Sequence, residues 1–246
     1  MWEQSLKPPS QEQFPNISNP KNLKFLETNS NDSQVNLLTK IGLIDYGMGN
    51  LFSVQQAFKR FNQPLDIISD IKTLQSCDAL ILPGVGAFDP AMMNLRKTEL
   101  VPSIIDWINN GKPLFGICLG LQLLFETSDE GTSEGLGVIK GHIRRLPQEK
   151  DERIPHIGWS PIYKTNECPI LENYPGSNWM YFVHSYSACP LEPKHTVAVT
   201  KFGKTDVSSM VWHKNTGACQ FHPEKSGVAG QKIIFNWINW LKKNKF

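Results

Sequence analysis

Residues 112–126 read KPLFGICLGLQLLFE, an apolar run whose character changes at one cysteine. KPLFGI has the continuous apolar composition of a buried strand, and LGLQLLFE that of a helix. Cys118 sits at the junction, between Gly116 and Gly120. A strand running straight into a helix is half of a βαβ unit. The same alternation recurs upstream. KIGLID (40–45) is a strand followed by the glycine turn YGMGN, and LFSVQQAFKRF (51–61) places Val54, Ala57, Phe58 and Phe61 on one helical face. PLDII (64–68) and CDALILPG (77–84) are two further strands. LVPSIIDWINN (100–110) is an amphipathic helix carrying Ile104, Trp107 and Ile108, with Gly111 as its stop. Strands alternating with helices in this way predict an α/β fold with a mostly parallel sheet.

Beyond about residue 137 the sequence turns strand-rich, in GVIKGHIRRL, WMYFVHSYSA, HTVAVTKFG, SSMVWHK and GACQFHP. It closes on a helix, SGVAGQKIIFNWINWLKK, with Ser226 as candidate N-cap. Residues 40–246 are expected to form one domain. Residues 1–39 are rich in Asn, Gln, Ser and Pro and poor in large apolar residues. They are expected to be a disordered extension, or the product of a misassigned start codon. The extension has no apolar signal core, and its acidic residues and lack of arginine argue against a transit peptide.

Composition narrows the function. The chain of 246 residues is 40% hydrophobic and 20% charged, with a formal net charge of +2, too little to argue for a nucleic-acid or membrane partner. Its longest nearly apolar run, Pro113–Phe125, is too short to span a bilayer. The five cysteines are widely spaced, with no CxxC pair and no Cys/His cluster at zinc spacing, which predicts reduced thiols in a cytoplasmic protein and no metal. No cofactor fingerprint is present: YGMGN fails as a dinucleotide loop because Phe52 stands at the third glycine position.

Alone, the cysteine turn fits a buried packing thiol as well as a nucleophile. At the carboxyl end of a parallel strand and the start of a helix, Cys118 is placed where such folds gather reactive groups. A nucleophilic thiol needs a base, and the base an orienting acceptor. ACQFHPEKSG (218–227) offers both in His222 and Glu224, which point to the same side if that segment is extended. ILPGVGAFD (81–89) also follows a strand, and its glycines free backbone N–H groups to face an oxyanion.

These segments together resemble the class I, triad-type glutamine amidotransferases. IDYGMGNLFSV, PGVGAFD, GICLGLQLLFE, PHIGWS, YFVHSY and QFHPEKSG, in that order over about residues 40–243, are similar to the glutaminase subunits of imidazole glycerol phosphate synthases. The resemblance implies a flavodoxin-like, doubly wound sheet with an added strand-rich part, and no cofactor. It implies that Cys118, His222 and Glu224 are the triad that hydrolyses glutamine to glutamate and ammonia through a Cys118 thioester. Gly84, Val85, Gly86 and Leu119 would form the oxyanion hole, the glycine loop rearranging at a partner's prompting. Gln122, Glu130, Ser185 and Tyr186 would hold L-glutamine. The implied partner is a (βα)8-barrel cyclase, bound as a heterodimer near Lys225 and Trp159, which uses the ammonia in histidine biosynthesis. Ser160 departs from the asparagine usual in the family after Gly-Trp, and Ser187 from the tyrosine frequent after HSY.

Two rival readings remain. A paralogous glutaminase could feed another synthase, such as one for modified surface sugars. A non-catalytic regulator on the same fold would sense glutamine without cleaving it, which an intact triad argues against.

Overall fold

The computed structural model describes residues 39–148, 150–171, 178–244 and 246. The expectation of disorder over 1–39 therefore lies, except for Thr39, outside the described residues.

Five parallel strands form the first half of a nine-stranded sheet: β1 (Ile41–Ile44), β2 (Leu65–Ile68), β3 (Ala79–Leu82), β4 (Leu114–Ile117) and β12 (Thr216–Cys219), in the order β2-β1-β3-β4-β12. Every residue of β1, β3, β4 and β12 is buried, which explains their unbroken apolar character: a parallel strand covered on both faces has no polar side. On one face Leu43, Ile81 and Phe115 pack with α1 (Leu51–Lys59) and α6 (Gly227–Lys243). On the other, Ile44, Leu80 and Leu114 pack with α3 (Phe88–Lys97) and α4 (Val101–Asn109). A short helix, α2 (Ile71–Gln75), adds Leu74 to this second layer.

The second half of the sheet is antiparallel and continues from β12 through β11 (Thr205–His213), β10 (Thr196–Phe202), β7 (His156–Lys164) and β8 (Trp179–His184). A three-stranded sheet of β5 (Thr127–Ser128), β6 (Gly141–Arg145) and β9 (Tyr186–Pro190) lies beside it. Together these are the strand-rich part the sequence announces.

Some elements differ from the sequence reading. WMYFVHSYSA is two strands, broken at Ser185 and assigned to different sheets. The helix after Cys118, α5, spans only Leu119–Leu123. The strand before His222 ends at Cys219. PHIGWS was assigned no element in the sequence reading. In the structure it opens β7, and Pro161 lies just outside the β7–β10 pairing, which begins at Ile162. Helix α3 was hidden behind the glycine loop; its Pro90 occupies the first turn, where no N–H is needed. Ser226 does stand at the N-cap of α6, but its hydroxyl makes no cap bond.

Candidate active site

In the parallel half, β3, β4 and β12 are neighbours, so the segments leaving their carboxyl ends meet at one sheet edge. These segments carry Gly84–Gly86, Cys118 and His222 respectively.

Cys118 has φ 56° and ψ −109°, a conformation rare for a residue with a side chain. Such strain costs on the order of 1–3 kcal/mol and is held only where the surroundings impose it. The turn's positive φ falls on the cysteine itself and not on the flanking glycines. Gly116 and Gly120 serve close approach instead. A Cβ on Gly120 would stand 1.8 Å from the Leu82 carbonyl oxygen, and one on Gly116 would meet Ala218 Cβ at 2.9 Å. The elbow is pressed against β3 and β12, and its Cys118 N–H donates to Cys219 O at 2.8 Å.

His222 Nδ1 lies 2.7 Å from Glu224 Oε1, and the two side chains are only 3% and 2% exposed. The contact was expected, but from an extended segment with alternate residues on one side. Pro223–Lys225 is instead a tight 3-10 turn, which folds Glu224 back under the imidazole. Ser226 fixes this turn: its hydroxyl donates to His222 O at 2.6 Å and accepts from Tyr181 N–H at 2.9 Å. Burial alone would lower the His222 pKa. The Cys118 sulfur and the Glu224 carboxylate outweigh it and raise the value to about 10, so the imidazole is held charged between them.

The loop after β3 places Gly84 O against Leu119 N–H at 3.3 Å, so this amide already has an acceptor. Below the loop, the buried Tyr46 hydroxyl donates to Pro83 O at 2.7 Å. Burial raises the Tyr46 pKa well above its ordinary value, which keeps the phenol a donor. Sequence reasoning saw Tyr46 only as part of a weak glycine turn.

A cavity of about 210 Å³ opens at this edge, lined by Val85, Gly86, Cys118, Leu119, Gln122, Glu130, Ser185, Tyr186 and His222 among others. Gln122 Nε2 donates to Tyr186 O at 3.2 Å and to Gln220 Oε1 at 3.1 Å. Glu130 Oε2 accepts from Phe88 N–H at 2.8 Å, supplying the start of α3 with the acceptor that Ala87 lacks. Lys225 is exposed beside the triad turn. Trp159 pairs across β7–β8 with Tyr181, their rings edge to face at 5.9 Å. The next pair on that side, Ile157 and Val183, is 47% and 37% exposed, so an apolar stripe runs to the cavity mouth.

From His184, which itself lines the cavity, runs a chain of groups not foreseen from sequence. His184 Nδ1 is 2.8 Å from Tyr186 O, His156 Nδ1 is 3.1 Å from His184 Nε2, and His156 Nε2 is 2.9 Å from Ser160 Oγ. Ser160, the departure from the resembled pattern, thus has a defined partner.

A buried cysteine elbow, a histidine–glutamate pair and a glycine loop thus meet at one sheet edge, and the comparisons give the family of the chain that carries them. The chain belongs to the class-I glutamine amidotransferase family, whose family model matches residues 42–240. It is 99% identical over 209 residues (85% of this chain, 100% of the relative) to imidazole glycerol phosphate synthase subunit HisH of Prochlorococcus marinus strain NATL2A. It is 52% identical over 202 residues (82% and 95%) to the subunit of the same name in Synechococcus sp. strain CC9605. Among solved structures it resembles a glutamine amidotransferase (TM-score 0.65, 19% identity, 83% of this chain and 99% of that one). PurLQS from Thermotoga maritima is similar in fold (TM-score 0.63, 17% identity, 83% and 100%).

Proposed function

We propose that this chain is the glutaminase subunit of an imidazole glycerol phosphate synthase, and that Cys118, His222 and Glu224 carry out its chemistry. The observation that carries the site assignment is the 2.7 Å His222–Glu224 pair, buried at the edge of the cavity that Cys118 lines. The Cys118 thiolate attacks the carboxamide carbon of L-glutamine, and the C=O π electrons move onto oxygen. His222 gives its proton to the leaving nitrogen, the C–N bond breaks, and ammonia departs from a γ-glutamyl thioester. Water then attacks the thioester with His222 taking its proton, and glutamate leaves as the thiolate is restored. Glu224 keeps the imidazole oriented and compensates its charge throughout.

The oxyanion is received by the backbone N–H groups of Leu119 and Val85. With Gly84 O bonded to Leu119 N–H, the hole is closed at rest. Turning the Gly84–Val85 peptide over removes that carbonyl and brings the Val85 N–H inward; Val85 is exposed and Gly86 has φ 104°, so the loop has room for the turn. Gln122, Glu130, Ser185 and Tyr186 line the space for the substrate's amino-acid end. A (βα)8-barrel cyclase docks on the Trp159 and Lys225 face as a heterodimer in the cytoplasm and receives the ammonia, for use in histidine biosynthesis, before it is protonated in water. Among the described residues no helix is long and apolar enough to cross a membrane. The names carried by the curated relatives favour this pathway over a surface-sugar paralogue.

The test is glutamate release from glutamine by the chain alone, then with the cyclase of the same genome and its nucleotide ligand. Strong stimulation that disappears in Cys118→Ala is expected. Stimulation absent with a cyclase active on free ammonia would overturn the pathway, and hydrolysis persisting in Cys118→Ala would overturn the nucleophile.

A further inference from the structure

Gln220 is fully buried between β12 and the triad turn, and nothing in the chemistry above uses it. Its backbone N–H donates to Ser209 O at 2.9 Å, which anchors it to β11. Its Nε2 lies 3.8 Å from Cys118 Sγ as a donor, and its Oε1 accepts from Gln122 Nε2 at 3.1 Å. The amide orientation follows from the network. Tyr186 O can only accept, so the Gln122 atom facing it is the NH2 nitrogen. The Gln220 atom facing that same NH2 must then be oxygen, which leaves the Gln220 NH2 for the sulfur.

Among the described residues this is the one side chain whose geometry meets a hydrogen bond to Sγ. His222 interacts with the same sulfur by hydrogen bonding and by charge, both of which raise its pKa, but its Nε2 is not aligned for a well-formed hydrogen bond. The other titratable groups in electrostatic reach of the sulfur or its histidine are Tyr46, His184, Cys219 and Glu224, of which His184 is kept neutral by burial. Burial keeps the Tyr46 phenol and the Cys219 thiol neutral. The sulfur therefore has one cationic neighbour, His222, and one neutral donor, Gln220.

We propose that Gln220 is a catalytic donor to the nucleophile: its amide N–H holds the Cys118 thiolate in the attacking rotamer and stabilises its charge, with Gln122 and the Tyr186 carbonyl fixing the amide. The arrangement leaves His222 Nε2 free to deliver its proton to the leaving nitrogen. A hydrogen bond to a charged acceptor is strong enough to be visible in thiol reactivity.

The proposal rests on Cys118 being the nucleophile, and its test does not require glutamine. The rate of Cys118 alkylation by iodoacetamide is followed against pH in the full chain, with the modified site identified by mass spectrometry. Gln220→Leu and the near-isosteric Gln220→Glu are compared with the unaltered protein. Expected are at least a tenfold slower alkylation near neutral pH and a rise of about one unit in the midpoint for Gln220→Glu. The same two variants should lose glutaminase kcat more than they raise KM, because the contact is to the reacting atom. A Gln220→Leu chain that keeps its thermal midpoint, alkylation rate and pH profile would overturn the proposal and make Gln220 a packing residue. If Gln220→Leu fails to fold, an unchanged profile in Gln220→Glu has the same force. Unreactive Cys118 in the unaltered chain would instead overturn the nucleophile assignment itself.

Discussion

Acid should destabilise this chain through His156 and His184. The Tyr186 carbonyl only accepts, so His184 carries its proton on Nδ1 and presents a lone pair at Nε2. His156 must then donate from Nδ1 to His184, and its Nε2 accepts the Ser160 hydroxyl. Each ring uses one proton and one lone pair, and a second proton on either would place a charge on a buried ring among neutral partners. Burial lowers His156 from 6.5 to about 4, and burial aided by the His156 and His222 charges lowers His184 from 6.5 to about 3. Below pH 6.5 the unfolded chain accepts protons that the folded one refuses. The stability these rings contribute is thus complete above their unfolded pKa and drains away as pH falls toward 4 and 3. At about pH 5 each histidine is about 1.5 units below its unfolded value, worth roughly 2 kcal/mol, or roughly 4 kcal/mol for the pair. His222 opposes this. Its pKa is raised to about 10, so its contribution is complete below 6.5 and is lost as pH rises through 10. Between about pH 8 and pH 5 it regains roughly 2 kcal/mol, leaving a net loss of roughly 2 kcal/mol. Urea unfolding at both pH values should show that loss, and His222→Asn, which removes the opposing group, should show about twice as much. Imidazole 15N shifts should keep His156 and His184 neutral at pH 6. Shifts titrating near 6.5, or a His222→Asn chain no more acid-sensitive than the parent, would refute the reasoning.

Ser160→Ala removes the donor to His156 Nε2 and leaves a buried acceptor unpaired, so chemical denaturation should report a loss of about 1–3 kcal/mol. Gly120→Ala drives a methyl into the Leu82 carbonyl, where both atoms are backbone-fixed; a loss of roughly 3 kcal/mol or more, or no soluble protein, is expected from thermal melts. Glu224→Gln removes the anion that helps hold His222 charged. Its pKa should fall toward 6.5 in an NMR titration, and glutaminase kcat should drop by about a hundredfold or more with little change in KM.

What the sequence disclosed divides along the two kinds of strand. The parallel strands are buried on both faces, so their apolar runs stand out, and the residues just after them could be picked as candidates without any knowledge of strand order. Glu224 was found for the wrong reason, since a 3-10 turn rather than an extended segment brings it to His222. Gln220 was passed over because a glutamine at a strand end carries no signal until its neighbours are known. The His156–His184 chain needed register: the two rings meet because β7 and β8 place those residues opposite one another, and β7 itself was masked by Pro155, Gly158 and Pro161.

The order of the sheet explains why these two halves form one site. β12 is reached only after the chain has built the antiparallel strands, yet it enters parallel to β4 and pairs with antiparallel β11 on its other side. It is the boundary strand, so His222 just beyond its end faces the Cys118 elbow on the parallel side. The same turn is tied to the antiparallel side, where His222 N–H donates to Tyr181 O in β8. Strand β8 then breaks at Ser185, and the Tyr186 carbonyl just beyond accepts from both His184 and Gln122. One carbonyl therefore joins the histidine chain from Ser160 to the amide chain that ends on Cys118. The exposed Ile157–Val183 pair lies on the same two strands, next in register to the His156–His184 pair, so the surface stripe and this carbonyl belong to one hydrogen-bonded unit.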